Sequence, residues 1–218
     1  MRLFIAVTID KEVKRRILAV QDRIREGVER GKFTPPENLH ITLVFLGETP
    51  EERLPEIKDA ILRSASLNGK AVSSFDIAFS NAGFFKRGAK ELWWLGTDAK
   101  KNNVSPADCA DNIGGLEELQ RRLALELKSR NFYIDSRPFT AHITLGREIR
   151  SSPACGSSPA CGGSPACGSS LWPFKTEPII IPVKRLSLMQ SRHVPVSGKK
   201  NALVYTELFE YTLSEREG

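Results

Sequence analysis

The octapeptides Pro36-Glu37-Asn38-Leu39-His40-Ile41-Thr42-Leu43 and Pro138-Phe139-Thr140-Ala141-His142-Ile143-Thr144-Leu145 follow one pattern, a leading proline and then an identical His-Ile-Thr-Leu. Both read as strands, and each follows a segment with helical periodicity. On a strand, residues i and i+2 point to the same face. His40 and Thr42 therefore share one face, and Ile41 and Leu43 the other, where they can anchor a core. His142 and Thr144 repeat the arrangement with Ile143 and Leu145 behind them. A duplicated lobe whose copies face each other is the economical explanation; the alternative is coincidence between strands rich in common apolar residues.

Working outward, Phe4–Ile9 is a predicted strand. Lys11–Arg30 is a predicted amphipathic helix, since Val13, Ile17, Val20, Ile24 and Val28 recur every three or four residues, with Gly31 as the expected C-cap. Pro35-Pro36 stops any helix before the strand Leu39–Leu46, which Gly47 ends. Glu51–Ser66 is a second helix with Pro55 near its first turn. Val72–Phe79 and Leu92–Gly96 are expected strands, with Gly83 and Gly88 marking the turn between them. The third helix, Leu116–Arg130, presents Leu116, Leu119, Leu123 and Leu127. A strand over Phe139–Arg147 follows, and strands near Ile179–Gln190 and Ala202–Tyr211 close the chain. This mixture lacks regular βαβ alternation and predicts an α+β fold. The expected arrangement is one bilobal domain over residues 1–218, with two pseudo-symmetric lobes facing a central cleft. Each lobe would be an antiparallel sheet with helices packed outside.

Two segments stand apart. Residues 100–115 are polar and punctuated by Asn102-Asn103, Pro106 and Gly114-Gly115, and are expected to form an extended loop. Residues 151–170 hold three copies of Ser-Pro-Ala-Cys-Gly, with Cys155, Cys161 and Cys167 spaced six apart and no histidine nearby. That spacing fits neither a CxxC pair nor a tetrahedral metal site. Small residues, proline and glycine bury too little apolar surface to offset their ordering entropy, so a low-complexity linker within the domain is expected.

Composition bounds the function loosely. The chain is 40% hydrophobic and 27% charged, as ordinary soluble globular proteins are. No apolar run approaches the roughly 18 residues needed to span a bilayer. The opening apolar stretch meets Asp10 at once and reads as a buried strand rather than a signal peptide, which gives a cytoplasmic expectation. A net charge of +6 suits a polyanionic partner, although many basic proteins bind no nucleic acid.

If the lobes are pseudo-symmetric, two imidazoles and two hydroxyls converge on one cleft and can surround a tetrahedral phosphate. Opening a cyclic phosphodiester needs a base to deprotonate water and an acid to protonate the departing ribose oxygen. Histidine, with an unperturbed pKa of about 6.5, serves either role. Thr42 and Thr144 can donate to the non-bridging oxygens as charge builds there. Arg147, two residues beyond Leu145, is a candidate cationic contact to the phosphate. No cluster with metal-ligand spacing accompanies the tetrads, so neither a metal nor another cofactor is required. His193 has no threonine at i+2 and reads as a surface or site-rim residue. Trp93-Trp94 reads as core packing rather than base stacking, and Lys199-Lys200 as a solvated turn.

The run Asn38-Leu39-His40-Ile41-Thr42-Leu43-Val44-Phe45-Leu46-Gly47, with the second tetrad and the Phe4-Ile5-Ala6-Val7 start, resembles the 2H phosphoesterase superfamily. It is most similar to the RNA 2',3'-cyclic phosphodiesterase branch, also called 2'-5' RNA ligase-like proteins. The resemblance implies hydrolysis of RNA 2',3'-cyclic ends to 2'-phosphomonoesters, with His40 as proton donor and His142 as proton acceptor. Thr42 and Thr144 would hold the phosphate of an RNA or oligonucleotide end; separately, the protein is expected to be a monomer. Reversible 2'-5' ligation, a cyclic phosphodiesterase acting on a small nucleotide, and a non-catalytic nucleotide-binding module are the competing readings. The Ser-Pro-Ala-Cys-Gly repeat departs from the family pattern.

Overall fold

The computed structural model describes residues 1–67, 69–88, 90–97, 115–151, 174–196 and 199–215. The predicted loop at 100–115, apart from Gly115, and the predicted linker at 151–170, apart from Ser151, lie outside the described residues.

The fold is α+β, built on an antiparallel nine-stranded sheet whose two halves meet at the repeated tetrads. In the first half, β1 (Arg2–Thr8) lies between β3 (His40–Glu48) and β10 (Arg185–Val196), and β11 (Lys199–Thr212) forms the edge. In the second, β8 (His142–Ser151) is followed by β7 (Lys90–Thr97), β6 (Phe75–Arg87) and β9 (Phe174–Val183). The far part of β8 also pairs with β2 (Val28–Phe33). A small separate hairpin joins β4 (Ser66–Leu67) to β5 (Lys70–Ala71). The halves share one register pair, Ile41 opposite Ile143.

Three helices cover one side. Helix α1 (Lys11–Glu26) packs on β2 and β9, while α2 (Leu54–Ser64) and α3 (Gly115–Ser129) pack on each other and lean on β11 and β3. Beneath them lies a continuous core, to which alternate strand residues contribute: Leu3, Ile5 and Val7 of β1, Ile41 and Leu43 of β3, and Ile143 and Leu145 of β8. Burying such side chains is worth about 1.5–3 kcal/mol each. That is enough to set which face of each strand turns inward, since a one-residue slip would expose the whole set.

The structure differs from the sequence expectations in several places, among them Lys199-Lys200, which open β11 instead of forming a turn. The first helix ends at Glu26 with Gly27 as its cap, and Val28 opens a strand instead of a last turn. Gly31 belongs to that strand, where an added Cβ would stand 2.5 Å from Cγ1 of Ile149. One strand runs from Phe75 to Arg87, so Gly83 lies within it, and of the two glycines Gly88, at φ +62°, marks the turn. The apolar stretch Ile179–Gln190 divides at Lys184 between β9 and β10, in opposite halves of the sheet. Finally, Trp93 is 1% exposed in the core, as expected, but alternation turns Trp94 to the opposite face.

Candidate active site

The Ile41–Ile143 pair places the two tetrads side by side and antiparallel. Both isoleucines are fully buried among the helices. Their neighbours on either side, His40, Thr42, His142 and Thr144, are half-buried and alternate onto the opposite face of the sheet. The four residues singled out by sequence thus gather where the lobes join.

Each histidine is oriented by the same local device. Nδ1 of His40 lies 2.7 Å from the carbonyl oxygen of Asn38, and Nδ1 of His142 lies 2.8 Å from that of Thr140, in both cases two residues upstream. A carbonyl accepts only, so Nδ1 carries the hydrogen and Nε2 is the nitrogen left for chemistry. Asn38 is itself buried and donates through Nδ2 to the Leu203 carbonyl at 2.9 Å, which ties the approach to His40 to β11. The second approach is tied by Gln21 of α1, which is 0% exposed. Its Nε2 donates to the carbonyls of Leu145, at 2.7 Å, and Thr34, at 2.9 Å.

Beyond this device the environments diverge. The His40 ring lies 4.9 Å from that of Phe4 and edge-on at 5.2 Å from Tyr205, while Tyr205 and Phe4 also meet edge-on at 4.9 Å. Nε2 of His40 accepts from the Thr42 hydroxyl at 2.9 Å. Burial lowers the His40 pKa from 6.5 to about 4; the Asn38 bond opposes this, while the charges of Arg147, His142 and Lys14 add to it. Free His40 is therefore neutral at pH 7. Burial also raises the Tyr205 hydroxyl, against the nearby Arg147 charge.

Arg147 reaches the site through irregular pairing. Perfect alternation from Ile143 and Leu145 would aim it into the core. On β8, however, Thr144 pairs with Trp94, Gly146 with Trp93 and Ile149 with Glu91, so the register shifts twice. Such bulges re-aim side chains. Arg147 is exposed, and its charge acts on both His40 and Tyr205. Glu148 takes a left-handed backbone, φ 54°, within the second shift. His193 is exposed on β10, opposite Leu203. Among the described residues, no group of three or more His, Cys, Asp or Glu side chains could hold a metal ion. No helix among them is long and apolar enough to cross a membrane.

Sequence reasoning missed Gln21, Asn38, Phe4 and Tyr205 as parts of the site. Asn38 and Phe4 lie in the quoted motifs; Gln21 and Tyr205 carry no local signal.

Comparison with known proteins bears on the family and the fold. The family described as LigT like phosphoesterase matches residues 7–94. An RNA 2',3'-cyclic phosphodiesterase of Archaeoglobus fulgidus is 32% identical over 154 residues, covering 70% of this chain and 76% of the relative. Another from Thermus thermophilus is 34% identical over 157 residues, covering 71% of each. A crystal structure from Thermus thermophilus superposes with a TM-score of 0.68 at 27% identity, covering 100% of both chains. With both tetrads in place on this fold, the chain belongs to the LigT-like phosphoesterases of the 2H superfamily.

Proposed function

We propose that the protein hydrolyses RNA 2',3'-cyclic phosphodiester ends to 2'-phosphomonoesters by two-histidine general acid/base catalysis. The observation that carries this reading is the Ile41–Ile143 junction, which brings two complete His–Thr pairs to one exposed face. A pocket that only binds needs no acid and base, and the named relatives supply the substrate class.

In the proposed reaction, Nε2 of His142 takes a proton from water as its oxygen attacks phosphorus. The bond from phosphorus to the ribose 3' oxygen breaks, and that oxygen takes a proton from Nε2 of His40. The products are a 2'-phosphomonoester and a 3' hydroxyl. Thr42, Thr144 and Arg147 hold the non-bridging oxygens, where charge grows in the transition state. The donor and acceptor roles follow the family resemblance. The neutral resting state of His40 adds a condition: its proton must arrive with the substrate, whose negative charge offsets the cationic field of Arg147, His142 and Lys14.

The reaction as written passes through no metal. Turnover of a cyclic-ended oligoribonucleotide, measured after EDTA treatment and removal of the chelator, is expected to persist and to give the 2'-phosphate alone. A 3'-phosphate product, or activity restored by one particular divalent ion, would contradict the proposal.

A further inference from the structure

Trp94 lies on the face that carries the tetrads. It pairs with Thr144 across the β7–β8 ladder, and the next residue on its side, Gly96, pairs with His142. On its other flank it pairs with Gly83 of β6. Neither glycine has room for a side chain. A Cβ on Gly83 would stand 2.6 Å from Cζ2 and 2.8 Å from Cη2 of the indole, and one on Gly96 would stand 2.7 Å from Cζ3 and 3.0 Å from Cε3. The six-membered ring of the indole is thus laid across two bare stretches of backbone, and Trp94 as a whole is half-buried. Beside it, at 5.5 Å and tilted by 35°, is Phe85, a large apolar side chain left 52% exposed. The indole Nε1 is buried and makes no hydrogen bond among the described residues. The indole therefore offers its aromatic face rather than a donor.

We propose that the aromatic face of Trp94, flanked by Phe85, is the stacking platform for the nucleobase of the nucleotide that carries the cyclic phosphate. The proposal rests on the function proposed above, because that substrate places a flat aromatic ring beside the phosphate. The platform is one ladder position from His142 and directly opposite Thr144, so a nucleotide whose phosphate sits on the His–Thr pairs can lay its base there. Stacking uses the π-face that every base has, so the platform favours nucleotides over base-free phosphodiesters without choosing strongly among bases. Gly83 and Gly96 serve as its seat.

The test compares an adenosine-ended oligoribonucleotide 2',3'-cyclic phosphate with methyl ribofuranoside 2',3'-cyclic phosphate, which has no base. Trp94→Ala is expected to lower kcat/KM on the first by roughly 5- to 150-fold and to leave the second unchanged. Trp94→Phe, a smaller perturbation of the fold, should lose less on the first and nothing on the second. Equal losses on both substrates, or no loss on either, would overturn the platform. A binding arm is independent of turnover. Adenosine 2'-monophosphate should quench more tryptophan fluorescence in the wild type than in Trp94→Phe, and ribose 2-phosphate should quench neither. If the wild type turns over neither substrate yet shows this difference, the proposed hydrolysis fails and the platform stands. Turnover without the difference overturns the platform alone.

Discussion

His40 and His142 share a tetrad, a strand position and a bond from Nδ1 to the carbonyl two residues upstream. The side chains around them differ. Beside His40, β1 contributes Phe4, and β11 adds Tyr205, so the imidazole packs against two aromatic rings that also touch each other, and burial drives it toward its neutral form. Beside His142, β7 contributes Gly96, a position that admits no side chain because the Trp94 indole covers it. Pseudo-symmetry thus supplies two equivalent nitrogens on one face, and the residues that break it give them different surroundings. A reaction that needs an acid and a base requires such a difference, because two identical imidazoles would have no fixed division of labour.

The comparison can be broken most forcefully by removing each histidine. His40→Ala and His142→Ala should each lower kcat/KM on cyclic-ended RNA by roughly 10²–10⁴-fold while leaving the thermal midpoint close to that of the wild type. If either variant keeps near-normal turnover, the two-sided account fails.

A smaller effect is expected at the Gln21 clamp, which ties helix α1 to β8 and to the end of β2. Gln21→Leu removes the donor shared by the Thr34 and Leu145 carbonyls, of which Leu145 keeps the Thr34 N–H at 2.9 Å, so the cost is about 1 kcal/mol. Denaturant unfolding should register that loss. An unchanged midpoint would mean the clamp is dispensable.

The mildest test concerns the surroundings of His40. Its folded pKa lies below its unfolded value, so between pH 6.5 and about 4 the unfolded chain binds the extra proton. Stability contributed by neutral His40 is therefore complete above pH 6.5 and is lost as pH falls toward 4. Because His40 acts as the acid and must carry its proton, the alkaline limb of kcat/KM that reports it should lie near pH 4 instead of near 6.5. Arg147→Met removes one charge that disfavours protonation, so the limb should move upward. A limb that stays in place, or one already near 6.5 in the wild type, would show that the field described here does not act on the reacting pair.

Which of these features were legible in the sequence follows from their range. The tetrads were, because period-two alternation around Ile41 and Ile143 is local and appears twice. The core faces of α1 and α3 were legible for the same reason. Trp94 could have been read correctly, since neighbours on a strand cannot both enter one core, but the apolar run concealed the alternation. The direction of Arg147 could not, because a bulge exists only relative to its partner strand. Gln21 and Asn38 act on residues 124 and 165 positions away, and Tyr205 meets His40 only after β10 and β11 have joined β1. The end of α1 was overrun because Val28 continues the helical spacing, while the pairing needs of β8 claim it for a strand.

The division of labour itself is tested most directly by changing the leaving group. A ribose oxygen leaves as a basic alkoxide and needs a proton, whereas a nitrophenolate departs readily without one. His40→Ala should therefore be crippled on cyclic-ended RNA and lose much less on a nitrophenyl phosphodiester that fits the site, while His142→Ala stays impaired on both because water must still be activated. The opposite pattern, with His142→Ala rescued by the good leaving group and His40→Ala impaired on both, would contradict the assignment and exchange the two roles.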